Sequence, residues 1–373
     1  MKFQCEKFVL DNGVATASRA AAVKSPIPAL EGLLLQASEG GLRISGYDLK
    51  KGIYTDLEAD VSESGAIVLP AKMFGDIVRK LPDGVVTVTT DKNMKTHIHC
   101  LQADYDIMGT DAEDYPALPD RESITKNIVM PQLLFGAMIR QTNFAVSDNE
   151  ARPIYTGELL ECDGEKLTMV ALDGYRLALR REKNVEALAT DPCSVIVPGN
   201  VLSDVEKLCV EEKFPIYICV GQKYVHFSTN NVTVITRKLD GEFLNYHKAV
   251  PTEFAFSMKA QRTELIRCAD RVGLMIDDKA KNPIRCQFGD GKLNITANTA
   301  LGRAEDNCVI DGDGGETVIG FNNNYLLQAL KAAPADRLLL HITNGSSPIV
   351  ILPEDENDRF QYMILPVRLR AGE

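Results

Sequence analysis

Two histidines at alternate positions, His97 and His99, followed at once by Cys100, are the side chains in this 373-residue chain best suited by type to hold a metal ion. Their spacing works against it. Side chains alternate faces along a β-strand, so His97 and His99 share one face and Cys100 points to the other. The segment reads as an ordinary strand, and no metal is expected there. Asp311-Gly-Asp-Gly-Gly-Glu316 has the carboxylate density of a calcium loop without its twelve-residue ligand spacing, and reads as a hairpin loop. The acidic runs Asp277-Asp278 and Glu354-Asp355-Glu356 read as solvated loops. Nine cysteines stand singly at 5, 100, 162, 193, 209, 219, 268, 286 and 308, none in CxxC spacing, so neither a metal nor a redox framework is indicated. Most fall in apolar stretches and read as small core residues of a chain kept reduced.

Catalytic motifs are missing as well. The sequence holds no GxxxxGK[ST], GxGxxG, GxSxG or HExxH, so phosphate-loop, dinucleotide and zincin chemistry have no support. No catalytic residue and no cofactor is expected. A hydrolase or transferase with other chemistry remains as one alternative, and a structural oligomer with no nucleic-acid partner as another. The N-terminus lacks the apolar core and cleavage site of a signal peptide, and no run of 18 apolar residues exists. The expected location is the cytoplasm, with no membrane partner.

The elements that would position a binding site are easier to read. The length fits two or three domains, and a hydrophobic share of 45% fits a globular core. Three strand-like stretches follow Gly-containing turns and share a pattern: GLRISGYDL from Gly41, KLTMVALDG from Lys166 and KLNITANTA from Lys292. Their leucines, Leu42, Leu167 and Leu293, are 125 and 126 residues apart. Downstream of each, an apolar strand runs into a short amphipathic helix: IVLPAKMFGDIVRKLP from Ile67, VIVPGNVLSDVEKLC from Val195 and TVIGFNNNYLLQALKAAP from Thr317. Pro70 and Pro198 sit where the first two helices begin, a favoured place for proline, and Phe321 takes that place in the third. A further helical pattern opens each unit: KFVLDNGVATASRAAA, PQLLFGAMIRQTNFAV and KAQRTELIRCADRVGLM. Such a period is far too long for a solenoid and signals repeated domains. The chain therefore reads as α+β, three copies of one unit with two helices and about eight strands each. The expected domains are 1–120, 128–250 and 251–373, with linkers near Pro119-Asp120-Arg121-Glu122 and Val250-Pro251-Thr252.

On this repeat lie four segments that resemble the bacterial sliding clamps, the beta subunits of DNA polymerase III, along the whole chain. They are PALEGLLLQ from Pro28, ALDGYRLA from Ala171, LDGEFLNY from Leu239 and YMILPVRL from Tyr362. The resemblance implies the clamp fold and a ring-shaped, head-to-tail homodimer of six modules. Two helices per module line a central hole, and sheets form the outer rim. It also implies a non-catalytic processivity factor that encircles double-stranded DNA without sequence preference. Polymerases, a clamp loader and other partners then dock through a Gln-x-x-Leu-Phe-like motif.

A net charge of −11 argues against a nucleic-acid partner unless the positive charge is gathered in one place. It is. The helix windows 7–24, 70–82, 131–144, 198–210, 259–272 and 321–332 together carry +7, leaving −18 on the rest. A mildly basic lining attracts DNA, whose phosphates carry no sequence information, and an acidic exterior disfavours sideways binding. The expected DNA contacts are Lys24, Arg79, Lys80, Arg140, Asn149, Arg152, Lys207, Arg262 and Arg267.

The resemblance also places a partner-peptide cleft between the second and third units. Its residues are Tyr155, Leu172, Gly174, Tyr175, Arg176, Leu177, Leu244, Lys248, Met363, Ile364, Leu365, Pro366, Val367 and Arg368. Aliphatic walls would bury the ligand's Leu and Phe, each worth about 1.5–3 kcal/mol. Gly174 would allow close approach, Arg176 and Arg368 would hold polar groups at the rim, and Met363 suits several ligands. Leu244 stands where many clamps have proline, Lys248 where many have arginine, and Tyr155 where a smaller aliphatic residue is usual, which implies a narrower or differently tuned cleft. The tail Arg370-Ala-Gly-Glu373 runs past the usual end. The subunit seam is expected to join an edge strand near Tyr105 and Ile107 to a helix end near Leu274 and Met275.

Overall fold

The computed structural model describes residues 1–120, 124–183, 186–187, 192–276, 282–300, 302–355 and 359–369. Arg121 and Glu122 of the first linker, Asp277, Asp278, Glu356 and the tail from Arg370 lie outside the described residues. Among the described residues, six α-helices fall where the repeat requires them, with a short seventh between: α1 (Lys7–Ser18), α2 (Ala71–Lys80), α3 (Gln132–Thr142), α4 (Gly199–Glu206), α5 (Tyr246–Ala249), α6 (Arg262–Gly273) and α7 (Asn323–Ala332). None is long and apolar enough to cross a membrane. Pro70 immediately precedes α2, as its ring prefers, and the Asn322 side chain accepts from the Asn324 and Tyr325 amides at the start of α7.

The chain divides into two compact units that cut across the threefold repeat. Unit 1 comprises Met1–Phe135, Ala187–Ala189 and Asp204–Lys238; unit 2 comprises Gly136–Glu186, Thr190–Ser203 and Leu239–Glu373. The reason is strand pairing. In unit 1 the strand Val232–Arg237 of the middle repeat pairs antiparallel with Lys51–Leu57 of the first, so one sheet passes from repeat to repeat. In unit 2 the strand Arg176–Lys183 of the middle repeat pairs with Phe360–Ile364 of the third and does the same. The half-repeats of the middle third thus serve different sheets.

Unit 1 also holds a five-stranded sheet in the order Asp60–Glu63, Lys2–Glu6, Val85–Thr90, Lys95–Cys100, Ala103–Met108, which leaves Ala103–Met108 at an edge. Its core gathers Phe3, Leu10, Val14, Leu35, Phe74, Val78, Val88 and Ile98 under α1 and α2. The ten-stranded sheet of unit 2 runs Cys193–Pro198, Gly157–Cys162, Lys166–Leu172, Arg176–Lys183, Phe360–Ile364, Ile349–Pro353, Arg337–Ile342, Phe256–Gln261, Gly302–Phe321, Ile284–Thr299. The inward faces of α6 and α7 pack beneath it through Leu265, Cys268, Val272, Leu326 and Leu330.

Two expectations change here. Residues 311–316 form no hairpin loop; they lie inside the long strand Gly302–Phe321, which pairs Asp313 with Asp290 across a register shift. Gly312 and Gly315, at φ +127 and +61, let that strand bend without breaking. The cysteines are buried apart from a half-buried Cys193, as small core residues should be, but they do not all stand singly, and Cys268 meets Cys308 through a hydrogen bond. Cys162 and Cys193 stand opposite each other on paired strands, and a hydrogen bond from Cys193 lowers the Cys162 thiol to about 6.

Candidate functional site

The apolar cleft residues converge because two strands far apart in sequence are neighbours in unit 2. Leu177 is paired with Met363, and the ladder continues as the Leu365 amide donates to Tyr175 O at 2.8 Å. Further on, the Val367 amide donates to Gly320 O at 2.7 Å. Leu172, Leu177 and Met363 are buried in one cluster with Leu159, Val170 and Val350, and the half-buried Tyr155 and Leu365 pack against it. Tyr155 meets Phe243 edge-on at 5.9 Å. The rim is open: Tyr175 is 62% exposed and stacks on Tyr325 at 6.3 Å, Leu244 is 44% exposed, and Lys248 and Arg368 face solvent. Pro366 and Val367 are half-buried.

Three cleft roles need correction. Ile364 follows Met363 on the same strand, so alternation turns it to the opposite face, into the core with Phe360 and Tyr362. A Cβ at Gly174 would meet nothing within 4 Å, so the glycine leaves no room that a side chain would fill. It serves the turn: φ is +91, and Asp173 Oδ1 accepts from the amides of Tyr175 at 2.8 Å and Arg176 at 3.0 Å. Arg176 is not a free donor at the rim. It is buried, donates through Nε to Asp173 Oδ2 at 3.0 Å, through one terminal nitrogen to Gln328 and through the other to Phe144 O at 2.5 Å. Its guanidinium also lies over the Tyr325 ring at 4.3 Å and near that of Phe144 at 5.4 Å. Arg176 is a clasp that fixes the hairpin to α7 and to the turn after α3. Sequence reasoning missed Ile154, Phe243 and Tyr246, which pack on the same cluster. Phe243 and Tyr246 lie inside the LDGEFLNY segment and Ile154 beside Tyr155, so their neighbours carried the signal.

The basic helix faces are turned to solvent. In α2, Ala71, Phe74 and Val78 are buried while Arg79 and Lys80 are exposed in the last turn, where cations favour the helix dipole. Lys24 is exposed beyond α1, and Lys207 just past α4. In unit 2, Arg140, Asn149 and Arg152 are exposed. On α6, Leu265, Cys268 and Val272 face the core and Arg267 faces out. Several of these cations carry local partners: Arg79 pairs with Asp76, Arg267 with Glu264 at 2.9 Å and Lys207 with Asp204 at 3.8 Å. Arg262 differs. Its side chain is 23% exposed and reaches Asp336 at 3.6 Å, and its amide donates to Asp336 O at 2.8 Å, so it anchors the start of α6 more than it faces outward.

At the expected seam, Tyr105 is 39% exposed on the edge strand and Leu274 is 80% exposed past α6. Ile107 points into the unit 1 core and Met275 packs on the unit 2 core, so neither presents a free side chain. Among the described residues, Ile284–Thr299 forms a second edge, at one end of the ten-stranded sheet, that no periodicity marks.

Comparison with known proteins gives three consecutive matches to domain models described as DNA polymerase III beta subunit: N-terminal domain over residues 1–119, central domain over 129–245 and C-terminal domain over 247–368. A beta sliding clamp of Synechocystis sp. is 30% identical, with 99% of this chain and 100% of the relative covered. One from Bacillus subtilis is also 30% identical over 99% and 100%. The crystal structure of the Bacillus subtilis sliding clamp superposes with a TM-score of 0.94 at 28% identity, covering 99% of this chain and all of that one. A Pseudomonas aeruginosa sliding clamp bound to griselimycin gives a TM-score of 0.93 at 26% identity and the same coverage.

Proposed function

The chain belongs to the DNA polymerase III beta subunit family, the bacterial sliding clamps, and from that premise we propose how its residues hold DNA and partners. Its function is to clamp DNA and confer processivity on replication; it is a processivity factor and not an enzyme. The observation that carries the reading is the threefold repeat, matched domain by domain over the whole chain.

Two copies close head to tail into a ring, and six similar modules suit closure because each contact turns the chain by a similar angle. The edge strand Ala103–Met108 of one copy meets the edge Ile284–Thr299 of the next, with Tyr105 and Leu274 supplying apolar side chains. Duplex DNA passes through, attracted by the cations Lys24, Arg79, Lys80, Arg140, Arg152, Lys207 and Arg267, with Asn149 as a neutral polar contact, without being gripped. Polymerases and the clamp loader dock a Gln-x-x-Leu-Phe-like segment on the cluster around Leu177, Met363 and Leu365, with Tyr175, Leu244, Lys248 and Arg368 at its rim. The protein acts in the cytoplasm, where bacterial DNA is copied.

Topological retention is the test. Placed on DNA by a loader, the protein is expected to remain on a closed circle and to leave once the circle is cut. Equal retention on both forms would mean surface binding and would overturn the ring.

A further inference from the structure

We propose that His97, His99 and Asp104 form a surface site for one divalent ion of the zinc class. The strand Lys95–Cys100 buries Thr96, Ile98 and Cys100 and turns His97 and His99 outward. The Cys100 thiolate is therefore unavailable, and the third donor comes from the neighbouring strand. Antiparallel register sets Asp104 opposite His99 and Asp106 opposite His97. One carboxylate oxygen, Asp104 Oδ1, lies 3.2 Å from His97 Nε2 and 2.8 Å from His99 Nδ1. One ligand atom from each of the three residues lies within 4.8 Å of the others. Metal–ligand bonds of about 2.0–2.2 Å hold tetrahedral ligand atoms about 3.3–3.5 Å apart, so only small side-chain rotations separate this cluster from a coordination shell.

An independent contact points the same way. His97 Nδ1 sits 3.0 Å from Asp106 Oδ1, and Asp106 Oδ2 is held by Lys95 Nζ at 2.8 Å. An imidazole whose Nδ1–H is fixed by a carboxylate turns its Nε2 lone pair toward the ion, the usual support of a metal-bound histidine. Two imidazoles and one carboxylate select a first-row ion such as Zn2+ over Mg2+ or Ca2+, which take oxygen ligands. All three side chains are about half exposed, so water completes the shell. The ion links the last two strands of the five-stranded sheet and stiffens its edge.

The full-length chain, carrying no histidine tag and stripped of metal, is titrated with Zn2+ against a chromophoric chelator. The same is done for His97→Gln, His99→Gln and Asp104→Asn. These positions are exposed, and unchanged metal-free melting shows that each variant folds. The expected result is one Zn2+ per chain at about micromolar affinity, weakened about tenfold or more in each variant. Co2+ in place of Zn2+ is expected to show no thiolate charge-transfer band, and Zn2+ to slow amide exchange over residues 95–108. Binding only at millimolar concentration, binding unaltered in all three variants, or a thiolate band on the tight site would overturn the proposal.

Discussion

Leu177 and Met363 face each other across one antiparallel strand pair, although they come from the middle repeat and from near the C-terminus. Both are buried, and together they floor the cluster on which Leu365 and Tyr155 are only half-buried. Floor and wall residues should therefore respond differently to truncation. Leu365→Ala is expected to weaken a Gln-x-x-Leu-Phe peptide by about 1–2 kcal/mol, about five- to thirtyfold, in a fluorescence-anisotropy titration. Its unfolding midpoint should move little. Leu177→Ala should instead cost about 2–5 kcal/mol of fold stability. Unchanged peptide affinity in Leu365→Ala would move the cleft elsewhere.

Arg176 makes a second prediction about the same wall. Removing the guanidinium leaves the largely buried Asp173 carboxylate without its cation, though still held by two amides, and takes away the donor to Phe144 O. Arg176→Ala is expected to lower stability in urea by about 3–5 kcal/mol, the usual cost of breaking a buried pair from one side. Arg176→Lys should recover little, because an ammonium cannot reach Asp173, Gln328 and Phe144 O at once or stack on Tyr325. Full rescue by lysine would show that charge alone is required.

The legible parts of this fold are those set by local pattern. Each helix opening or closing a repeat follows from apolar spacing, and Pro70 marks the start of α2 directly. Less legible is everything set by pairing at a distance. No window of sequence shows that Arg176–Lys183 lies beside Phe360–Ile364, so only resemblance brought Leu177 and Met363 together. Alternation was readable yet unused at Ile364: assigning Met363 to the cleft already sends its neighbour to the other face. Asp-Gly at 173–174 announced a turn, but nothing in it announced that Arg176 would be consumed by Asp173, Gln328 and Phe144. The pairing of His99 with Asp104 was hidden for the same reason, since it depends on hairpin register.

Glu158 carries a third prediction. It is wholly buried on the strand Gly157–Cys162, against Thr142 Oγ1 at 2.6 Å. Burial pushes its carboxyl from 4.5 up to about 8, only partly opposed by the Thr142 hydrogen bond. Between those values the folded chain keeps the proton and the unfolded chain releases it. The folded state then binds more protons, so stability must fall as pH rises across that window. The Thr142 hydroxyl donates to Glu158 Oε2 and also lies 2.9 Å from Met138 O. Glu158→Gln keeps the shape and a donor while removing the titration. Its unfolding midpoint should vary less than that of the parent between about pH 5 and about pH 8, with the largest gain at the alkaline end. Parallel profiles for the two proteins would show that Glu158 does not titrate there.

The basic helix faces give the last prediction, in which Arg262 serves as an internal control. Removing one cation that neutralises a phosphate should reduce the slope of log Kobs against log salt by about 0.9 for duplex DNA. Arg79→Ala, Lys80→Ala and Arg267→Ala remove exposed cations on α2 and α6, and each is expected to shallow that slope by up to this amount. The pairs Arg79–Asp76 and Arg267–Glu264 do not prevent this, because exposed ion pairs of this kind exchange readily for phosphate. Arg262→Ala should leave the slope nearly unchanged and lower stability instead, since its side chain is largely withdrawn and tied to Asp336. Slopes from binding to a short linear duplex at several salt concentrations decide the matter. Equal effects from all four variants would mean that the field of the whole helix surface matters and not particular cations. A larger effect from Arg262→Ala than from Arg267→Ala would mean that the start of α6 turns toward DNA when the duplex is present.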